Sequence, residues 1–221
     1  MSMLVTTKYL NSDLLMAPTK IVCVLRNYLE HAKELNSPVP DKVKFFLKPP
    51  SSLLANRGTV IIPDSVESLH HEVELAVLIG KRGRFIDVDN VKDHVMAYTV
   101  ILDMTARDLQ GKAKKAGLPW TEAKGYDTFA PFGPRAYPPG EFDWHHKRIW
   151  LDVNGERRQE GNTNDMLFSI ERIISEVSEV MTLEPGDIFC TGTPPGVGPV
   201  RSGDRITAGI DGMEPLTVTV K

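Results

Sequence analysis

The sequence predicts a mixed α+β fold, mainly β, with a few short helices. Three observations point there. Short β-rich segments are separated throughout by Gly and Pro, of which the 221-residue chain carries 17 and 16. Asn154-Gly155 and Asp211-Gly212 each sit between strand-forming runs, as hairpin turns do. Strand-like runs also fail to alternate regularly with helical ones, which argues against a doubly wound sheet.

In chain order, residues 19–25 read as a strand and 27–35 as a short helix. Strands follow at 43–47 and 60–62, stopped by Pro49-Pro50 and Pro63, which cannot donate to a ladder. Residues 72–79 and 95–102 are the most apolar strands and are expected at the centre. A helix over about 105–115 ends at Gly117 and Pro119. Residues 149–153 and 156–160 form a hairpin, as do 205–210 and 216–220. Between these hairpins Ser169 caps a helix, Glu171 complements its N-terminal dipole, and Ile170, Ile173, Ile174 and Val177 form one apolar stripe. No repeat or long linker interrupts the chain, so one domain is expected.

AVILMFWYC residues make up 41% and charged residues 25%, an ordinary globular balance that excludes disordered and collagen-like classes. No apolar run approaches the roughly 20 residues of a bilayer-crossing helix, and no basic-then-apolar leader opens the chain. With 26 basic and 29 acidic residues well mixed, a nucleic-acid footprint is not expected. Lys112, Lys114 and Lys115 are the one dense cationic cluster and read as a solvated helix face. Cys23 and Cys190, each in an apolar run, read as buried reduced thiols of a cytoplasmic protein.

The chemistry concentrates elsewhere. Glu72 and Glu74 stand two apart in an apolar strand, so both point to one face, roughly 6.5–7 Å apart. The next strand ends on Asp103. Three carboxylates from neighbouring strand segments are a hard-oxygen ligand set suited to Mg²⁺ or Mn²⁺. The alternative is an edge strand whose acids face water. His31 and Glu34, spaced i and i+3, can form a carboxylate-oriented imidazole that activates water, or an ordinary exposed helix contact. Lys124, read alone, is a surface lysine. The run Gly192-Thr193-Pro194-Pro195-Gly196-Val197-Gly198 lacks the Lys-Ser/Thr of a phosphate-binding loop and reads as a turn. No G-x-S-x-G elbow is present.

Taken in order, several blocks resemble the fumarylacetoacetate hydrolase family. They are Arg26-Asn27-Tyr28-x-x-His31-x-x-Glu34, Phe46-Leu47-Lys48-Pro49, His71-Glu72-x-Glu74 and Asp103-Met104-Thr105-Ala106-Arg107-Asp108. Further along come Gly117-Leu118-Pro119-Trp120-Thr121-x-Ala123-Lys124, Asn154-Gly155-Glu156-x-Arg158-Gln159 and Thr191-Gly192-Thr193-Pro194-x-Gly196-Val197-Gly198. The branch they resemble most is the single-domain acylpyruvases, some of which also decarboxylate oxaloacetate. Leu25 departs from the pattern, standing where a glycine or tyrosine is more usual.

The resemblance implies a compact β-roll with a few short helices, a homodimer, and one divalent metal per subunit. It implies a catalytic domain over 20–221 preceded by an extension over 1–19. Glu72, Glu74 and Asp103 would bind Mg²⁺, with Mn²⁺ as a substitute. His31 and Glu34 would form the water-activating dyad, Lys124 would be the catalytic lysine, and Gln110 would orient water. Arg26 and Thr193 would hold the substrate's carboxylate end. The expected reaction is Mg²⁺-dependent hydrolysis of a carbon–carbon bond in a 3-acylpyruvate through pyruvate enolate. The alternatives are decarboxylation or tautomerisation of oxaloacetate, or isomerisation of a 2-oxo acid, on the same site; a non-catalytic metal-binding protein is a further reading. The expected partner is a small 2-oxo acid, with neither nucleic acid nor membrane.

Overall fold

In a computed structural model of the chain, residues 5–10, 12–30 and 41–221 are described. A five-stranded mixed sheet lies at the centre. It contains β3 (Ile21–Val24), β4 (Phe45–Lys48), β8 (Val73–Ile79), β9 (Val95–Leu102) and β15 (Ile188–Cys190), in the order β4-β3-β15-β8-β9. Every residue of β8 is buried. Its Val73, Leu75, Val77 and Ile79 enter the larger core cluster, while Ala76 and Leu78 enter a second one with Ile21, Cys23, Ile101, Ile188 and Cys190. Both faces of the sheet are therefore covered, which explains why β8 reads as an apolar run from Leu75 to Ile79 rather than an alternation.

A second five-stranded sheet packs against it, ordered β14-β13-β17-β18-β6. These strands are β6 (Thr59–Val60), β13 (Arg148–Val153), β14 (Glu156–Asn162), β17 (Arg205–Ile210) and β18 (Leu216–Val220). The β13–β14 hairpin turns at Asn154 and Gly155, both with positive φ, as a type I′ turn requires. Smaller pairings close the roll. β7 (Leu69–His71) lies between β10 (Thr105–Ala106) and β16 (Gly198–Val200). β5 (Leu53–Leu54) pairs with β11 (Ala130–Pro131).

Three helices matter for the site: α1 (Arg107–Ala116), α2 (Thr121–Lys124) and α3 (Ile170–Val180). Helix α1 starts two residues later than the sequence suggests, because Thr105 and Ala106 pair with β7. It ends on Gly117 at φ +67, the left-handed stop that glycine adopts without strain. Helix α3 is capped by Ser169 and buries its Ile170, Ile173, Ile174 and Val177 stripe as expected.

The first residues were expected only as an extension. There, β1 (Val5–Tyr9) and β2 (Ser12–Met16) form a hairpin whose β1 pairs in parallel with β12 (Arg135–Ala136). Of the helix expected over 27–35, Tyr28 instead makes an antiparallel bridge with Met166, and residues 29–30 are helical. His31 and Glu34 lie outside the described residues. Cys23 and Cys190 are both buried free thiols, in register on β3 and β15.

Candidate metal centre

Glu72 occupies the break between β7 and β8, and Glu74 sits one step inside β8. Strand β9 runs antiparallel to β8 with Val73 opposite Leu102. That register carries Asp103 just past the last pair, where its backbone N–H donates to the Glu72 carbonyl at 2.8 Å. The three carboxylates thus converge, with one oxygen from each within 4.8 Å of the other two and all three side chains buried. An edge strand with solvated acids is excluded, because β8 is flanked by β15 and β9.

Such a cluster is costly without cations. Burial, reinforced by Asp103 and Glu72, pushes the Glu74 carboxyl well above the usual carboxylate range. One of its oxygens accepts the Gly192 N–H at 2.7 Å. Gly192 has φ +99, and a Cβ there would fall 2.8 Å from Asn27 Cβ, so only glycine brings this N–H so close. An oxygen-only, buried, mutually repelling donor set fits a hard divalent cation.

Lys124 is buried rather than a surface residue. Helix α2 delivers its Nζ to Glu72 Oε2 at 2.9 Å and Asp103 Oδ2 at 2.6 Å. Burial alone would lower its pKa, but Asp103 and Glu72 outweigh that and hold it above the ordinary lysine value. Lys124 is therefore an ammonium at neutral pH, suited to stabilising charge rather than to accepting a proton.

Two cations of this site went unassigned in the sequence. Lys48 ends β4 fully buried, its Nζ 2.6 Å from Asp103 Oδ1 and 3.1 Å from the Met104 carbonyl. Arg107, at the start of α1, pairs with Glu72 and donates to Gln110 Oε1 at 2.7 Å. The available signal was a lone lysine closing the strand Phe45-Phe46-Leu47-Lys48.

Arg26, Gln110 and Thr193 all line the same cleft as the three carboxylates and Lys124. Gln110 is buried, and Arg26 is held at φ +54. Thr193 Oγ1 donates to the Val73 carbonyl at 2.8 Å and accepts from Gln159 Nε2 at 2.8 Å. Gln159, buried on β14, uses all of its hydrogen-bonding capacity here. Its Oε1 accepts from His71 Nδ1 at 2.9 Å and the Val73 N–H at 3.1 Å, and its Nε2 also donates to the Pro194 carbonyl at 2.9 Å. The residues flanking Glu72 are thereby tied to the Thr193 loop. Through Thr193 in the cleft wall and the Gly192 N–H on Glu74, the run 192–198 is part of the site rather than only a turn.

The family model described as fumarylacetoacetate hydrolase C-terminal matches residues 20–221. The chain is 51% identical over 203 residues to the mitochondrial oxaloacetate tautomerase of Arabidopsis thaliana, covering 92% of this chain and 91% of that protein. It is 48% identical over 196 residues to the mitochondrial oxaloacetate decarboxylase of Dictyostelium discoideum, covering 88% and 90%. Among solved structures, fumarylpyruvate hydrolase from Pseudomonas aeruginosa in complex with Mn²⁺ and pyruvate superposes with a TM-score of 0.92. Identity there is 36%, covering 98% of this chain and 95% of that one.

Proposed function

The chain belongs to the fumarylacetoacetate hydrolase family, and on that premise we propose that it interconverts the keto and enol forms of oxaloacetate and decarboxylates it, dependent on Mg²⁺ or Mn²⁺. Supporting this reading is the charge arrangement of the cleft. Lys48, Lys124 and Arg107 already balance Glu72, Glu74 and Asp103. A divalent cation therefore leaves the cleft, which Arg26 and Lys114 also line, with a net positive charge that suits an anionic 2-oxo acid. The close identity to proteins named for oxaloacetate chemistry points the same way.

Glu72, Glu74 and Asp103 would hold the metal, which supplies Lewis acidity towards the 2-oxo acid end. Arg26 and Thr193 orient the adjoining carboxylate. Lys124, fixed by Glu72 and Asp103, offsets the negative charge that develops on the enolate oxygen without reorganising. Lys124, its pKa raised by Asp103 and Glu72, is assigned to charge stabilisation rather than to taking the proton from C3. Proton removal falls to His31, oriented by Glu34, which returns the proton in the reverse direction. Gln110, held by Arg107, completes the cleft wall.

Acylpyruvate hydrolysis is the second reading, favoured by the likeness to the fumarylpyruvate hydrolase structure. The deciding experiment follows chelator-treated protein reloaded with Mg²⁺. Enol-oxaloacetate ketonisation, pyruvate release from oxaloacetate and acetylpyruvate cleavage are measured side by side. Ketonisation with the highest kcat/KM is the expected result. Acetylpyruvate cleavage exceeding it would make hydrolysis the main activity.

A further inference from the structure

The cationic run Lys112, Lys114 and Lys115 is exposed as expected, but Lys114 also lines the cleft. On α1, Arg107, Gln110 and Lys114 are spaced i, i+3 and i+7, one helical stripe, and all three line the cleft. Lys112 is on another face, 3.8 Å from both Glu67 and Asp108. Among the described residues no carboxylate comes within ion-pair distance of Lys114 Nζ, whereas Lys48 and Arg107 each have one and Lys124 has two.

What does hold Lys114 is aromatic. Its Nζ lies 5.1 Å from the Trp120 ring centroid. Trp120 packs on Phe46 at 5.7 Å between centroids, and Lys124 Nζ lies 5.0 Å from the other partner, Phe46. Two ammonium groups are thus spaced by a pair of packed rings, with Lys124 buried at the carboxylates and Lys114 exposed at the mouth. Loss of water around the ammonium at the cleft wall, together with Arg107 and Arg26, disfavours the Lys114 charge and lowers its pKa. An anion entering the cleft would relieve that repulsion.

We propose that Lys114 is a specificity-determining residue that receives the distal carboxylate of a dicarboxylic 2-oxo acid, with Trp120 holding its ammonium at the mouth of the cleft. This rests on the oxaloacetate reading above and extends it to the end of the substrate that does not react. A four-carbon 2-oxo acid lacking the second carboxylate would gain nothing from Lys114.

The test compares wild type, Lys114→Met and Lys114→Arg, all loaded with Mn²⁺. Binding of 3,3-difluoro-oxaloacetate, which has no C3 proton to lose, and of 2-oxobutanoate is measured by calorimetry, alongside KM and kcat for oxaloacetate. Lys114→Met should weaken the dianion on the order of tenfold, the scale of one charge-assisted hydrogen bond, and leave 2-oxobutanoate within about twofold. Lys114→Arg should restore most of the dianion affinity, and the kinetic effect should fall on KM more than on kcat. Equal weakening of both ligands, or of neither, overturns the proposal. If wild type fails to enolise oxaloacetate while the binding contrast persists, the proposed reaction falls and the role of Lys114 stands.

Discussion

Lys124 Nζ lies 2.6 Å from Asp103 Oδ2, and the other Asp103 oxygen receives Lys48 Nζ at the same distance. One buried carboxylate thus bridges two buried ammonium groups. Because the Lys124 charge opposes a neighbouring cation but favours a developing enolate, its removal should separate metal binding from turnover. Lys124→Met is expected to bind Mn²⁺ at least as tightly as wild type by calorimetry. Its kcat for enolisation should fall on the order of 10²–10³. A fall in both together would make Lys124 a structural support of the metal centre.

The same bridge sets an order of stabilities. Asp103→Ala leaves Lys48 and Lys124 without their shared partner, and breaking a buried pair costs about 3–5 kcal/mol. Glu74→Ala removes a carboxyl that burial already disfavours. Thermal unfolding in EDTA should therefore place Asp103→Ala well below Glu74→Ala, with both inactive after Mg²⁺ is restored. Full activity in either variant would remove the metal assignment.

The dependence on pH follows from Glu74. Its folded pKa is raised, so its contribution to stability is present below the unfolded pKa and lost as pH rises through the folded one. A divalent cation needs the ionised form and competes with that proton. The rise in Tm on adding Mg²⁺ should accordingly grow as pH increases from the acid side towards neutrality. A gain independent of pH would place Glu74 outside the ligand set.

His31 and Glu34 distinguish the reactions. Removing a C3 proton and activating water both need a base, whereas loss of carbon dioxide from oxaloacetate needs neither. His31→Gln should lower tautomerisation by roughly 10²–10⁴, with decarboxylation reduced far less and Mn²⁺ affinity unchanged. Glu34→Gln should show a smaller version of the same pattern. Equal losses in both reactions would reassign the pair to substrate closure.

Gln159 should act through Thr193. Gln159→Met keeps the side-chain volume but removes four hydrogen bonds from a buried junction. KM for oxaloacetate should rise more than kcat falls, since Thr193 is expected to contact the substrate carboxylate. A pure loss of Tm with unchanged KM would mean that the junction only supports the fold.

Local chemistry was sufficient for part of this protein. Two-residue periodicity, the Asn154-Gly155 turn and the Ser169 cap depend on neighbours a few residues away, and each is found where the sequence predicts it. The pairing of Glu72 and Glu74 with Asp103 was legible for the same reason: strand spacing and a strand end define it. Lys48 and Gln159 carry no reading of their own in the sequence, and Lys124 and Lys114 taken alone read as surface lysines, because their meaning depends on distant partners. A lysine in a sequence carries no mark of whether its ammonium will meet water, as for Lys112, or a buried carboxylate 55 residues away, as for Lys48. Only the packing of β4, α1 and α2 around the end of β8 decides that, since burial makes an unpaired charge too costly and leaves a paired one as the sole solution.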